Sequence, residues 1–234
     1  MALLLGTAPN QVPTNADLGT MAFQDQAAVN ITGGVISAAT LVSPVVSSGT
    51  ANGVAYLNGS KVLTTGTALT FDGTNLGLGV TPSAWISSSK AIQINTKTTL
   101  AGDTSNGTIL TDNLYLATGP LFKYLTTATG TVYQQTNGNH YWYNTPSGTA
   151  GTTASITQAM TLDASGNLGI GTTTPSASAI LDAQSTTKGV RMPNMTTTQK
   201  NAIASPAAGL MVFDTTLAKL CVYSGSAWQT ITSI

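Results

Sequence analysis

The sequence has 234 residues, 7% of them charged and 41% hydrophobic, with eight acidic side chains against eight basic ones and no net charge. A typical soluble domain carries roughly 25% charged residues, and nucleic-acid-binding proteins gather Lys and Arg on one surface to displace counterions. The neutral balance and the scattered lysines speak against a nucleic-acid partner, and the hydrophobic content speaks against simple disorder.

The acids are all Asp, and Thr fills about 40 positions, far above average usage. Good surface helix formers are scarce, whereas Thr and Val fit the pleated surface of a strand. Gly and Asn supply turns that need positive φ. The expected fold is therefore all-β, with short strands joined by tight turns. An uncharged Thr/Asn/Gly surface suits a tight homo-oligomer or a large particle better than an isolated domain.

Residues 1–40 read as a first unit. Pro9 to Asn15 is extended, because proline restricts itself and its predecessor. Apolar residues come next at Leu18, Met21, Phe23, Val29 and Ile31. The apolar start at Met1–Leu5 is too short and lacks the basic flank of a signal peptide, so the chain is expected to be made in a cytoplasm. No stretch approaches the length of a membrane span, so no membrane insertion is expected.

Residues 41–100 form a second unit. Asn58-Gly59 between two apolar runs predicts a hairpin, with strands over about 54–57 and 61–64. Asn75-Leu76-Gly77-Leu78-Gly79-Val80-Thr81-Pro82-Ser83 then recurs, with one inserted residue, as Asn167-Leu168-Gly169-Ile170-Gly171-Thr172-Thr173-Thr174-Pro175-Ser176. Such a doubled module points to a stacked architecture. In each copy one strand face is apolar and the other is bare glycine backbone, which lets another backbone approach closely. Three chains packed around one axis would use such a strand well.

Residues 101–160 are the aromatic-rich unit, read as a β-sandwich or meander, with Asn137-Gly138-Asn139 as a turn. Tyr133, Tyr141, Trp142 and Tyr143, together with Tyr223 and Trp228 further on, are candidate binding residues, since such rings stack on sugars or fill protein pockets. Residues 161–234 hold the second repeat and a C-terminal tip. Thr196 and Gln199 form a capping box for a short helix over about 197–204, ahead of Pro206. Strands at 209–213, 219–223 and 227–231 predict a three-stranded meander. Cys221 is alone, so no disulfide within one chain is possible, and its alternating strand makes a buried thiol the expectation.

Leu162-Asp163-Ala164-Ser165-Gly166-Asn167-Leu168-Gly169-Ile170-Gly171-Thr172-Thr173-Thr174-Pro175 resembles a motif common in tail fibres and spikes of tailed bacteriophages. The stretch from Leu181 to Thr197 and the ending through Leu210-Met211-Val212-Phe213 to Trp228 are similar to the segments C-terminal to that motif in such proteins. Val12 to Asp25 is similar to their N-terminal segments. The resemblance implies a modular fibre, an intertwined homotrimer, and a role in the particle or in host recognition. It implies as partners the chain itself, other virion proteins of tail or capsid, and a host surface glycan or protein. On this reading Leu18, Met21, Phe23, Val29 and Ile31 belong to the segment that docks on the virion. The C-terminal region is presented outward.

No catalytic constellation stands out. Glycoside hydrolysis needs two positioned carboxylates, yet the aspartates are dispersed beside Gly, Thr or Asn, where turn roles are expected. His140 is the single histidine, too little for a triad or a zinc site within one chain. The expectation is a non-enzymatic virion protein without cofactor or metal. The alternatives are a capsid-decorating head fibre or cement protein, and a polysaccharide-depolymerising spike.

Overall fold

The structure, a computed structural model, describes residues 49–119 and 121–232. The expected docking residues Leu18, Met21, Phe23, Val29 and Ile31 lie outside them. The described residues form short strands and one short helix, as the composition requires.

The Asn58-Gly59 hairpin is present as β1 (Tyr56–Leu57) and β2 (Leu63–Thr64), paired antiparallel. The main body is a ten-stranded sheet. It is built from β3 (Leu69–Phe71), β4 (Leu76–Leu78), β5 (Lys90–Ile94), β6 (Thr98–Asp103) and β7 (Gly107–Asp112). The chain then leaves the sheet for a two-stranded excursion, β8 (Leu114–Ala117) and β9 (Leu121–Tyr124). It returns as β10 (Ala128–Thr136), β11 (Asn139–Gly148), β12 (Thr157–Leu162), β13 (Leu168–Ile170) and β14 (Leu181–Ala183). The strands lie side by side in chain order. The stretches 41–100, 101–160 and 161–234 thus all contribute strands to one sheet, and β6 and β12 span the positions 100/101 and 160/161.

The excursion makes the core. Leu114, Leu116, Phe122 and Tyr124 from the β8–β9 hairpin, with Trp85, cover Ala91, Ala101, Ile109 and Val132 of the sheet. Asn113 is the elbow between β7 and β8. It is fully buried with φ +60, a conformation that Asn tolerates better than most residues. The turn at Asn137-Gly138 carries positive φ at both residues (52 and 78), as a tight hairpin turn demands.

The two sequence repeats occupy the two ends of this sheet. In each, a hairpin closes over an Asp-led turn, and the chain then loops back to add a parallel strand: β4 with β5 at one end, β13 with β14 at the other. Asp72 accepts the amides of Thr74 and Asn75, and Asp163 accepts those of Ser165 and Asn167. Asn75 and Asn167 return a side-chain bond to the same carboxylate. Asp103 builds a third turn of this kind with Ser105 and Asn106, which the sequence repeat does not reveal.

The glycine strands have a different explanation from the one expected. A Cβ at Gly77 would collide with the Val80 carbonyl and sit 2.5 Å from Thr70 Oγ1. At Gly169 it would sit 2.7 Å from Pro175 Cγ. The bare backbone face is closed by the loop of its own chain, not by another chain. The apolar face, carrying Leu76, Leu78, Leu168 and Ile170, is the open one.

The C-terminal unit is β15 (Asn194–Met195), helix α1 (Thr197–Asn201), β16 (Met211–Asp214), β17 (Lys219–Tyr223) and β18 (Trp228–Thr230). Both halves of the Thr196/Gln199 capping box form, and the helix is shorter than expected because Ala202 already caps it. The expected meander β16–β17–β18 is present, and β15 adds a fourth, parallel strand to it.

Candidate functional site

Strand alternation gives the ten-stranded sheet two faces of opposite fate. On the covered side β5, β6 and β7 place small or polar residues, Ala91, Gln93, Thr99, Ala101 and Thr111, with Ile109, under the hairpin. On the open side the same strands place Ile92, Ile94, Leu100 and Leu110, which remain 37–46% exposed. The larger apolar side chains therefore face outward, the reverse of what burial favours in an isolated domain.

These open-side residues continue in register. Phe71 pairs with Leu76, Leu76 with Ile92, Ile92 with Leu100, and Leu100 with Leu110. Leu110 pairs with Tyr133, Tyr133 with Trp142, Trp142 with Met160, Met160 with Ile170, and Ile170 with Ala183. Each of the ten strands thus supplies one apolar side chain to a single row.

The six candidate aromatic residues separate into three pairs. Tyr133 and Trp142 stand together in the row, with ring centroids 5.1 Å apart. His140 stacks on Trp142 at 6.2 Å, and its Nδ1 lies 2.6 Å from the Tyr133 hydroxyl. Tyr141 and Tyr143 project to the other face, centroids 6.1 Å apart, and Tyr143 packs against the core. Burial, with Tyr141 beside it, pushes the Tyr143 hydroxyl above its usual pKa. Tyr223 and Trp228 form an edge-to-face pair at 5.4 Å across β17 and β18. The structure does not bring the three pairs into one site.

The C-terminal unit holds a buried charge cluster that sequence reasoning missed. Lys200 from α1 reaches Asp214 at the end of β16. Thr197 Oγ1 donates to the same carboxylate, as do the Thr216 and Leu217 amides. Lys200 Nζ also lies 3.6 Å from Cys221 Sγ and 5.7 Å from the Trp228 ring centre. The available signal was an Asp at a strand end with two Thr after it, which reads only as a turn. No helix among the described residues is long and apolar enough to cross a membrane.

Comparison with known proteins adds one match. Residues 169–234 match the family model described as a phage tail like trimerisation region. The region begins inside β13 and takes in β14, the helix and the C-terminal sheet. No curated protein and no solved structure matches the chain. Over residues 169–234, less than half of its length, the chain is similar to that trimerisation region, which supports a phage tail fibre-like family.

Proposed function

We propose that this chain is a homotrimeric fibre or spike subunit of a tailed-phage particle, anchored through residues 1–40 and presenting its C-terminal region for host attachment. The trimerisation-region match over residues 169–234 is the observation that carries the reading. The β-rich build agrees with it: short strands lie side by side in chain order in one ten-stranded sheet, with the repeated module at each end. The role is structural and non-enzymatic, and the protein's place is the virion.

The Asp-led turns fit that role. Asp72, Asp103 and Asp163 spend their carboxylates on backbone amides and on Asn side chains of their own turns. Paired acids for glycoside cleavage would instead be free to meet a substrate.

The test is the native mass of the full chain together with incorporation of a shortened one. The full chain is expected near three subunits by light scattering. Deleting residues 1–40 is expected to leave the trimer intact and to abolish incorporation into particles. A monomeric full chain would overturn the trimeric reading. A shortened chain that still enters particles would overturn the docking assignment.

A further inference from the structure

We infer that the open apolar face of the ten-stranded sheet is where two further copies of this chain pack, so that the trimer interface runs far beyond the matched region, to Phe71. The inference deepens the trimeric reading above and rests on it.

Continuity carries the argument. Ile170 and Ala183 lie within the trimerisation region and stand at one end of the apolar row. The row passes from them through Met160 and Trp142 to Phe71 with no strand missing. An interface that includes Ile170 has no structural boundary at which to stop before the opposite end of the sheet. With neighbouring strands about 4.8 Å apart, ten strands make a row about 43 Å long.

Composition of the two faces points the same way. The hairpin β8–β9 covers the side with the smaller residues and leaves Leu100 and Leu110 45% and 46% exposed. Monomers rarely leave so long a contiguous apolar surface in water. On the central strands β6, β7 and β10 the flanking rows carry the polar Thr98, Thr108, Thr131 and Gln135. Toward the two ends they carry Leu78 and Ile94, or Leu168 and Leu181, so the apolar surface widens there. Few charges would be buried: the flanking rows of β5–β7 hold Lys90 and Asp112.

The occupant is a second and third copy because a closed threefold arrangement lets each stripe meet the same stripe of its neighbours. Strands then run across the axis, and the row runs along it. Tyr133 and Trp142 sit in the middle of the row, so they pack against neighbouring copies rather than meet a receptor.

The experiment uses the full chain. Leu100→Asp and Leu110→Asp are each expected to lower the native mass from three chains toward one. Leu121→Asp, on the exposed outer side of β9, is expected to keep three. Because an acid in the row also threatens folding, Leu110→Cys gives a second readout. A short bismaleimide is expected to join chains in this variant, seen as multimers on a denaturing gel, whereas the wild type, with Cys221 buried, gives none. Trimeric Leu100→Asp and Leu110→Asp variants, or a trimeric Leu110→Cys that takes up a thiol reagent freely without joining chains, would overturn the inference and leave the trimeric reading standing. A wild-type monomer would overturn both.

Discussion

Lys200 Nζ lies 2.8 Å from Asp214 Oδ2, with both side chains almost entirely removed from solvent, 4% and 0% exposed. The pair ties helix α1 to the C-terminal sheet. Burial by itself would raise the Asp214 carboxyl, but Lys200, Thr197 and the Leu217 amide outweigh it and bring the pKa down to about 2. Lys200 is raised, first of all by Asp214. The Asp214 contribution is therefore present above its ordinary pKa of 3.8 and is lost as the pH falls through about 2. The Lys200 contribution is present below its ordinary value of 10.5 and is lost only as the pH rises through the raised one. Amide NMR of α1 and β16 is expected to show this unit loosening between pH 3.8 and about 2. Asp214→Asn is expected to abolish that acid step and to weaken the unit at neutral pH, because it leaves the Lys200 charge buried without its partner.

Asn113 should be the most sensitive polar residue of the main body. Its Nδ2 donates to the Thr126 and Thr129 carbonyls at 3.0 and 2.9 Å, and its Oδ1 accepts from the Thr126 amide and hydroxyl at 2.8 and 2.7 Å. Asn113→Ala removes these four part-buried bonds, empties a fully buried site and forces φ +60 on a residue that resists it. A loss of about 3 kcal/mol in denaturant unfolding is expected. Asn113→Gly relieves the backbone and still loses the four bonds, so it should recover only part of this. A Gly variant as stable as the wild type would mean the bonds contribute nothing.

Gly77→Val and Gly169→Val are expected to destabilise the chain by about 1–3 kcal/mol each, the usual cost of overpacking. The crowding is internal, against Val80 and Thr70 in one case and Pro175 in the other. Both variants should therefore unfold at lower denaturant and yet keep the wild-type native mass. A drop in native mass without a drop in stability would mean that another chain approaches these glycines.

Cys221 is fully buried on β17, with Lys200 of α1 3.6 Å from its sulfur. A thiol reagent such as dithionitrobenzoate should leave it untouched in the native protein and should react fully in denaturant. Rapid native reaction would show that the C-terminal sheet opens on the timescale of the assay.

Several elements were legible because their causes are local. Asn137-Gly138 dictates a hairpin through two positive φ angles, and Thr196 with Gln199 caps the helix within one turn. The repeat at Asn75 and Asn167 was legible as well, since each copy contains its own Asp turn and its own Thr-Pro loop. The features that sequence patterns did not reveal involve residues distant in the chain, or turns without a telling neighbourhood. The turn at Asp103 lacks the flanking Leu-Gly pattern that made the other two visible. Lys200 and Asp214 lie on different elements, and nothing in either local sequence announces the partner.

The sequence by itself determined the all-β class, the turns, the capped helix and the doubled module, because each arises from side chains within a few residues of one another. Only the tertiary structure decided which face of each strand is covered. Alternation at Ile92, Gln93 and Ile94 or at Leu76, Gly77 and Leu78 reveals two unlike faces, but either can be the buried one. The choice was made by the 79–82 and 172–175 loops, which fill the glycine side, and by the β8–β9 hairpin, which docks on the side of the small residues. The large apolar side chains were thereby left on the open face, because among the described residues the chain's own loops and hairpin pack on the opposite side of the sheet.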